Sequence, residues 1–193
     1  MRRVNAGDAS LLYDWIRSPH VSEYYEESNI PPSLEAMRRD FIPEMVHGTT
    51  HGCIVEYRRK PIGYIQFYAL SEDDLRVYGY PSTERVYGMD QFIGDPAYRD
   101  RGRGTGLVTS MAEYLFEAKG ADRVVMDPQT WNARALRCYE KCGFKRVKLL
   151  PEHEMHGGVL RDCWLIERTK DRSRKGRQAG KNRIVRGRAR RTP

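Results

Sequence analysis

Apolar positions along the chain follow two rhythms, one near three and a half residues and one of two. Leu11, Leu12, Trp15 and Ile16 recur at helical spacing behind Asp8, a capping residue, and predict a helix over 8–18. A second helix is predicted over 32–46, where Ser33 with Ala36 beyond it is only a partial capping signal. Residues 53–70 read as a hairpin turning at Arg58-Arg59-Lys60-Pro61, and 85–94 as a strand. The clearest helix covers 104–120: Leu107, Val108, Met111, Ala112, Leu115 and Phe116 form one stripe, and Gly120 suits its C-cap. A short buried strand over 122–128 stops at Pro128. A helix over 132–144 ends at Gly143, and strands over 144–150 and 162–168 close the pattern. Helices and strands in this order predict an α/β (α+β) domain, a mixed sheet with helices packed on it. The 193 residues suit one such domain and a tail.

Charge divides the chain at the same place. The total is +8, from 34 basic and 26 acidic residues. From Thr169 onward eleven Lys or Arg face one acid, Asp171, which is +10; +8 less +10 leaves −2 for residues 1–168. The basic character therefore belongs to the tail over 169–193, which has almost no apolar residues and should be disordered or ordered only on a partner. It reads either as a solvated appendage or as a non-specific contact for a polyanion. No apolar run approaches the ~18 residues of a membrane span, and the opening Met-Arg-Arg-Val lacks an export signal's apolar stretch. A cytoplasmic protein without a membrane partner is expected. Cys53, Cys138, Cys142 and Cys163 are scattered and read as thiols in a reducing compartment. His153 and His156 have no third ligand nearby, so no metal is expected.

The chemistry begins at Gly102, Gly104 and Gly106, between a strand and the strongest helix. A helix N-terminus leaves amides unpaired and carries partial positive charge, and glycines let a ligand approach them. Such a turn serves phosphate or pyrophosphate, with Arg99, Arg101 and Arg103 adding charge; a purely structural turn is the alternative. The spacing is not that of a Walker loop, and the preceding elements are wrong for a dinucleotide fingerprint. Just upstream, Asp90 lies in a strand flanked by Tyr87, Met89, Phe92 and Ile93, a poor place for an unpaired carboxylate. It needs a partner, either a structural ion pair or a cationic ligand.

Arg99-x-x-Gly102-x-Gly104 resembles the acetyl-CoA pyrophosphate motif of the GNAT acyltransferase superfamily, and Asn132-Ala133 through Tyr139-Glu140-Lys141 to Gly143-Phe144 resembles its second motif. A helix and a strand separate the two, as that fold requires. Residues 60–68, 86–106, 126–144 and 150–167 narrow the similarity to aminoglycoside 6′-N-acetyltransferases, most of all the acetyltransferase half of bifunctional resistance enzymes. It runs from about Leu11 to Glu167 and leaves the tail uncovered. The family opens with a further strand, for which only Met-Arg-Arg-Val is present, so either that strand is shortened or the sequence starts late.

The resemblance implies a GNAT fold over 1–168, with a central, mostly antiparallel mixed sheet, and acetyl transfer from acetyl-CoA to the 6′-amine of an aminoglycoside. It assigns Asp90 as base or amine-orienting group and Tyr139 as donor to the departing sulfur. Arg99, Arg101, Gly102, Arg103, Gly104, Thr105, Gly106 and Asn132 would hold the coenzyme, although Asn132 is equally a helix N-cap. A backbone N–H on the strand before the glycine turn would face the oxyanion. The acceptor side would include Tyr64, Gln66, Tyr87, Asp127 and Asp162, with Glu23, Glu26 and Glu27 as a further acidic loop. Rival readings keep the fold but take a siderophore-type hydroxylysine or another small amine, or let the tail act as a polyanion binder. Several carboxylates in the cleft favour a polycation; one acid beside an arginine favours an amino acid. Oligomeric state is left open.

Overall fold

The computed structural model describes residues 1–25 and 30–170. Strand β1 (Arg2–Arg3) is followed by α1 (Ala9–Arg17), α2 (Pro19–Ser22), α3 (Leu34–Ala36) and α4 (Ile42–His47). Next come β2 (His51–Tyr57), β3 (Lys60–Ala69), α5 (Glu72–Tyr78), β4 (Val86–Ile93), α6 (Arg103–Glu117) and β5 (Arg123–Met126). Last are α7 (Ala133–Lys141), β6 (Lys145–His156) and β7 (Val159–Thr169). Among the described residues, seven strands form one sheet ordered β1-β2-β3-β4-β5-β7-β6, antiparallel except for the parallel β4–β5 pair. This is the mixed, mostly antiparallel sheet expected, with β1 reduced to two paired residues.

Four local differences from expectation have physical causes. The helix over 32–46 is interrupted by a π-helical turn, Met37–Phe41, beside Pro43, which has no N–H to give the carbonyl four residues back. Helix α5 was not predicted, although its signal was present: Ser71 and Asp74 form a reciprocal capping box. Strands β6 and β7 extend well past 150 and before 162, because Gly157 and Gly158 both take positive φ and close a hairpin between them. The fold also outlasts the predicted boundary at 168. Strand β7 reaches Thr169, and the Lys170 amide donates to the Asp122 carbonyl at 3.1 Å. The tail beyond Lys170 lies outside the described residues. No helix among the described residues is long and apolar enough to cross a membrane.

Each face of the sheet has its own apolar layer. The α6 stripe read from sequence (Leu107, Val108, Met111, Ala112, Leu115, Phe116) packs with Leu136 of α7 against Ile65, Met89 and Val124. Leu12 and Ile16 of α1 pack with Met37, Ile42 and Met45 against Ile54 and Tyr64 on the other face.

The functional opening lies where β4 and β5 part. Their pairing covers only Val86–Gly88 against Arg123–Val125. Strand β4 continues to Ile93, whereas β5 stops before Asp127-Pro128, and the Pro128 carbonyl is taken by the Trp164 amide of β7. Leu70 N donates to Val86 O and Gly94 N to Ile62 O, so the even-numbered residues of β4 exchange bonds with β3. Alternation then aims the N–H and C=O groups of Met89, Gln91 and Ile93 toward the gap.

The N-terminal segment is tied down by a buried carboxylate. Asp8 accepts from Arg2 through two guanidinium nitrogens, both at 2.7 Å, and from the Asn5 amide at 2.9 Å. Burial pushes the Asp8 carboxyl up, but the Arg2 and Asn5 hydrogen bonds outweigh it and hold its pKa below the ordinary value. A lowered folded pKa means stability that is present above the unfolded value near ~4 and lost as pH falls through the folded one. Asp8→Asn is therefore expected to cost about 1–3 kcal/mol at pH 7, read by urea unfolding. The variant and the parent should converge as the parent's carboxyl protonates in acid, and a gap persisting there would assign the loss to packing instead.

Candidate active site

A cavity of about 650 Å³ fills the gap, walled by β3, β4, the end of β5, the start of α6, the length of α7, α2 and part of β6. Its two ends differ in chemistry.

The first end is built on backbone. Gly102 caps α6 in the left-handed region, φ 71°, where a side chain would be strained. The first-turn amides of the 15-residue α6 have no helical partners. Arg99, Gly102, Gly104 and Thr105 line the cavity. Three neighbours do not. The Arg103 guanidinium stacks on the Tyr57 ring at 4.0 Å, Arg101 is exposed and off the wall, and the Gly106 amide donates to the Gly102 carbonyl at 3.3 Å. The assigned arginine charge thus reduces to Arg99. The sequence reading overlooked its replacement, Arg134, Arg137 and Lys141, which stand on the cavity at α7 positions i, i+3 and i+7. Asn132 both lines the cavity and caps α7, accepting from the Ala135 amide at 3.1 Å.

The second end is acidic. Asp90 faces it from β4, paired across the strands with Gln66. Gln66 Nε2 donates to Asp90 Oδ2 at 2.9 Å, and Gln66 is itself oriented by the Tyr64 hydroxyl, which donates to Oε1 at 2.8 Å. Tyr68, absent from the sequence reading, also stands close enough to Asp90 to favour its charged form. Its ring crosses β4 where Gly88 leaves room; a Cβ on Gly88 would sit 2.4 Å from Tyr68 Cε2. Burial first, and then the Asp127 charge, push the Asp90 carboxyl up to about 6 against the hydrogen bond from Gln66 and the nearness of Tyr68.

Asp127 stands at the end of β5, as the strand pattern implied. It accepts from the Tyr78 hydroxyl at 2.7 Å and from His153 Nε2 at 3.0 Å. Burial alone would raise its pKa, but those hydrogen bonds hold it below the ordinary value. Glu154 of β6 joins the same wall. Tyr78, His153 and Glu154 were missed because they arrive from α5 and from the far part of β6, the two elements underestimated in sequence.

Three expected acceptor residues are elsewhere. Tyr64 is 1% exposed and belongs to the core, acting only through Gln66. Tyr87 differs from Asp90 by an odd number of residues, so it faces the opposite side of the sheet and packs with the α6 layer. Asp162 is exposed and accepts from the Glu152 amide, bracing the irregular stretch of β6. Glu23 is off the cavity wall, and Glu26 and Glu27 lie outside the described residues. Of the two histidines spaced at three, His153 serves Asp127. No three metal-ligating side chains converge among the described residues.

Tyr139 lies between the two ends, on the α7 wall. Burial raises its pKa, keeping the phenol protonated. Gln91 Nε2 donates to its oxygen at 2.7 Å. The cavity thus offers bare amides and cations at one end, carboxylates at the other, and a buried phenol between them.

Residues 5–151 match the family model described as acetyltransferase (GNAT) domain. The aminoglycoside N(6′)-acetyltransferase type 1 of Klebsiella pneumoniae is 31% identical over 151 residues, covering 76% of this chain and 73% of that one. The structure of AAC(6′)-Ib in complex with ribostamycin and coenzyme A aligns with a TM-score of 0.71 at 26% identity, over 88% of this chain and 92% of that chain. The aminoglycoside acetyltransferase AAC(6′)-Ib with coenzyme A and kanamycin aligns at 0.70 and 25%, over 91% and 97%.

The coupling of the two carboxylates is directly measurable. The Asp90 side-chain carbon signal in NMR should titrate with a midpoint near 6, and Asp127→Asn should lower that midpoint by removing a neighbouring negative charge. An unmoved midpoint would leave burial as the whole cause.

Proposed function

The chain belongs to the GNAT acetyltransferases, and from that we propose that it transfers the acetyl group of acetyl-CoA to the 6′-amine of an aminoglycoside, inactivating the antibiotic. The observation that carries the acceptor class is the wall bearing Asp90, Asp127 and Glu154. The lysines and arginines that line the cavity among the described residues, Arg99, Arg134, Arg137 and Lys141, belong to the α6 turn and α7 instead. A hydroxylysine acceptor would call for a cation near a single acid. Three acids suit a ligand carrying several ammonium groups. The relatives named for aminoglycoside N(6′)-acetylation, and the neighbour bound to ribostamycin or kanamycin, support the same reading.

The coenzyme fits the other end on this chain's own chemistry. The free first-turn amides of α6 suit a pyrophosphate, with Arg99 and the α7 cations around it. The thioester supplies the activated acetyl group. The odd-numbered amides of β4 point into the gap where its carbonyl would lie, so one of Met89, Gln91 or Ile93 serves as oxyanion donor. Asp90, on the even face, accepts the proton that the amine must lose. With its pKa near 6 it is ionised at neutral pH and is a stronger base than an ordinary carboxylate. Gln66 and Tyr68 hold its orientation. Asp127 and Glu154 receive the remaining ammonium groups, and Tyr139 offers a proton to the sulfur.

The deciding experiment follows thiol release from acetyl-CoA with kanamycin, and then with a 6′-hydroxyl aminoglycoside of similar charge. Release with the amine alone supports the assignment. Release with neither, while coenzyme still binds, rejects the acceptor and keeps the fold. Asp90→Asn should lower kcat about 10²–10⁴-fold with coenzyme affinity intact. In the parent, kcat/KM should rise with pH through about 6 as Asp90 loses its proton, and that limb should vanish in the variant. Unchanged turnover would remove Asp90 from the mechanism.

A further inference from the structure

Gln91 follows Asp90 on β4, so its side chain faces the opposite wall, toward α7. Its Nε2 donates to the Tyr139 oxygen at 2.7 Å and lies 3.5 Å from Met126 Sδ. Its Oε1 is buried, has no hydrogen-bond partner among the described residues, and belongs to a side chain on the cavity wall. A buried acceptor left in this state awaits a donor.

The direction of the Gln91–Tyr139 bond decides what the phenol can do. A phenol has one proton to give and two lone pairs. With Nε2 as donor, Gln91 occupies a lone pair and leaves the proton available. With the amide reversed, Oε1 would accept that proton and turn it away from the cavity. A ligand N–H on Oε1 locks the first arrangement. The arm of coenzyme A carries two secondary amides, each with one N–H, and the gap is where that arm would run.

We propose that Gln91 is a positioning residue for Tyr139: its N–H fixes the phenol oxygen, its carbonyl oxygen takes an amide N–H of the coenzyme arm, and the phenol's proton is thereby held for the departing sulfur. This rests on the acetyltransferase reading above. As the C–N bond forms and the C–S bond breaks, the C–S pair moves onto sulfur, and sulfur takes the Tyr139 proton to leave as a thiol. The phenolate then regains a proton from water, while the amine's proton leaves through Asp90. Coenzyme binding and the orientation of the acid are thus one event. The high pKa that burial gives Tyr139 fits this role, because the phenol stays protonated until the sulfur needs it.

The test is a double-mutant cycle on the full chain with Gln91→Met, Gln91→Glu, Tyr139→Phe and the two pairs. Thiol release from acetyl-CoA is followed once with kanamycin and once with water as the acceptor, since the sulfur departs in both. Gln91→Met should lower kcat about tenfold and raise KM for acetyl-CoA. Gln91→Glu, whose carboxylate would accept the phenol's proton, should lower kcat further. In the Tyr139→Phe background, neither change should lower kcat again, while the KM effect of Gln91→Met should persist, a split that loss of packing would not produce. An equal kcat loss in both backgrounds, or none in the parent, overturns the proposal. A parent that hydrolyses acetyl-CoA but ignores kanamycin rejects the acceptor assignment alone, and the hydrolysis series still decides the role of Gln91.

Discussion

Strand β5 ends after four residues while its parallel neighbour β4 runs on, and the chemistry of the molecule depends on that mismatch. A strand interior to a sheet normally has both edges paired. Here the second half of β4 keeps its bonds to β3 and directs the other set of amides into open space. Just past the end of β5, the Pro128 carbonyl accepts from the Trp164 amide of β7, so the chain there stays with β7 and leaves β4. The same stretch of β4 alternates side chains between two faces. Asp90 therefore faces Gln66 and Gln91 faces Tyr139, across a distance fixed by one peptide unit. In the proposed reaction, a proton acceptor and a proton donor's support are thus set on opposite sides of the reacting centre without any long-range fit.

Three carboxylates on one wall repel one another and resist burial, and the surrounding side chains distribute that strain unequally. His153 and Tyr78 stabilise the charge on Asp127, which keeps it ionised and makes it the fixed charge that raises Asp90. Asp90 has neutral partners, Gln66 and Tyr68, which orient it without cancelling the upward push. One acid is thereby held below the ordinary carboxylate pKa and the other near 6. Gly88 is the backbone condition for this, because Tyr68 reaches Asp90 only across a residue that lacks a Cβ.

The helical stripe of α6, the strand of Asp90, the cap at Asn132 and the order of elements were legible because each rests on local periodicity or capping. Local rules also led to Asp127, since Pro128 marks a strand end. What failed was position in three dimensions. Tyr64 and Tyr87 match a family pattern by residue type, yet burial takes one and strand parity the other. Parity was available in the sequence, as Tyr87 and Asp90 are three apart. Arg101 and Arg103 read as phosphate ligands because they flank glycines, but Arg101 is exposed ahead of the helix and Arg103 stacks on Tyr57. His153 and Glu154 could not be found by local rules, because the Gly157-Gly158 hairpin that carries them past β7 was not recognised as a strand reversal.

The two ends of the cavity are written in different materials, and this sets how the protein can change over generations. The donor side is held largely by peptide amides of β4 and of the first turn of α6, which any single substitution other than to proline leaves in place. The acceptor side is made of side chains on β3, β4 and β6 and at the end of β5, contributed by separate stretches of chain. Mutations can therefore alter which amines enter, one residue at a time, while the grip on the activated acetyl group is inherited unchanged. A lineage with this architecture is free to drift in what it modifies and conservative in what it spends.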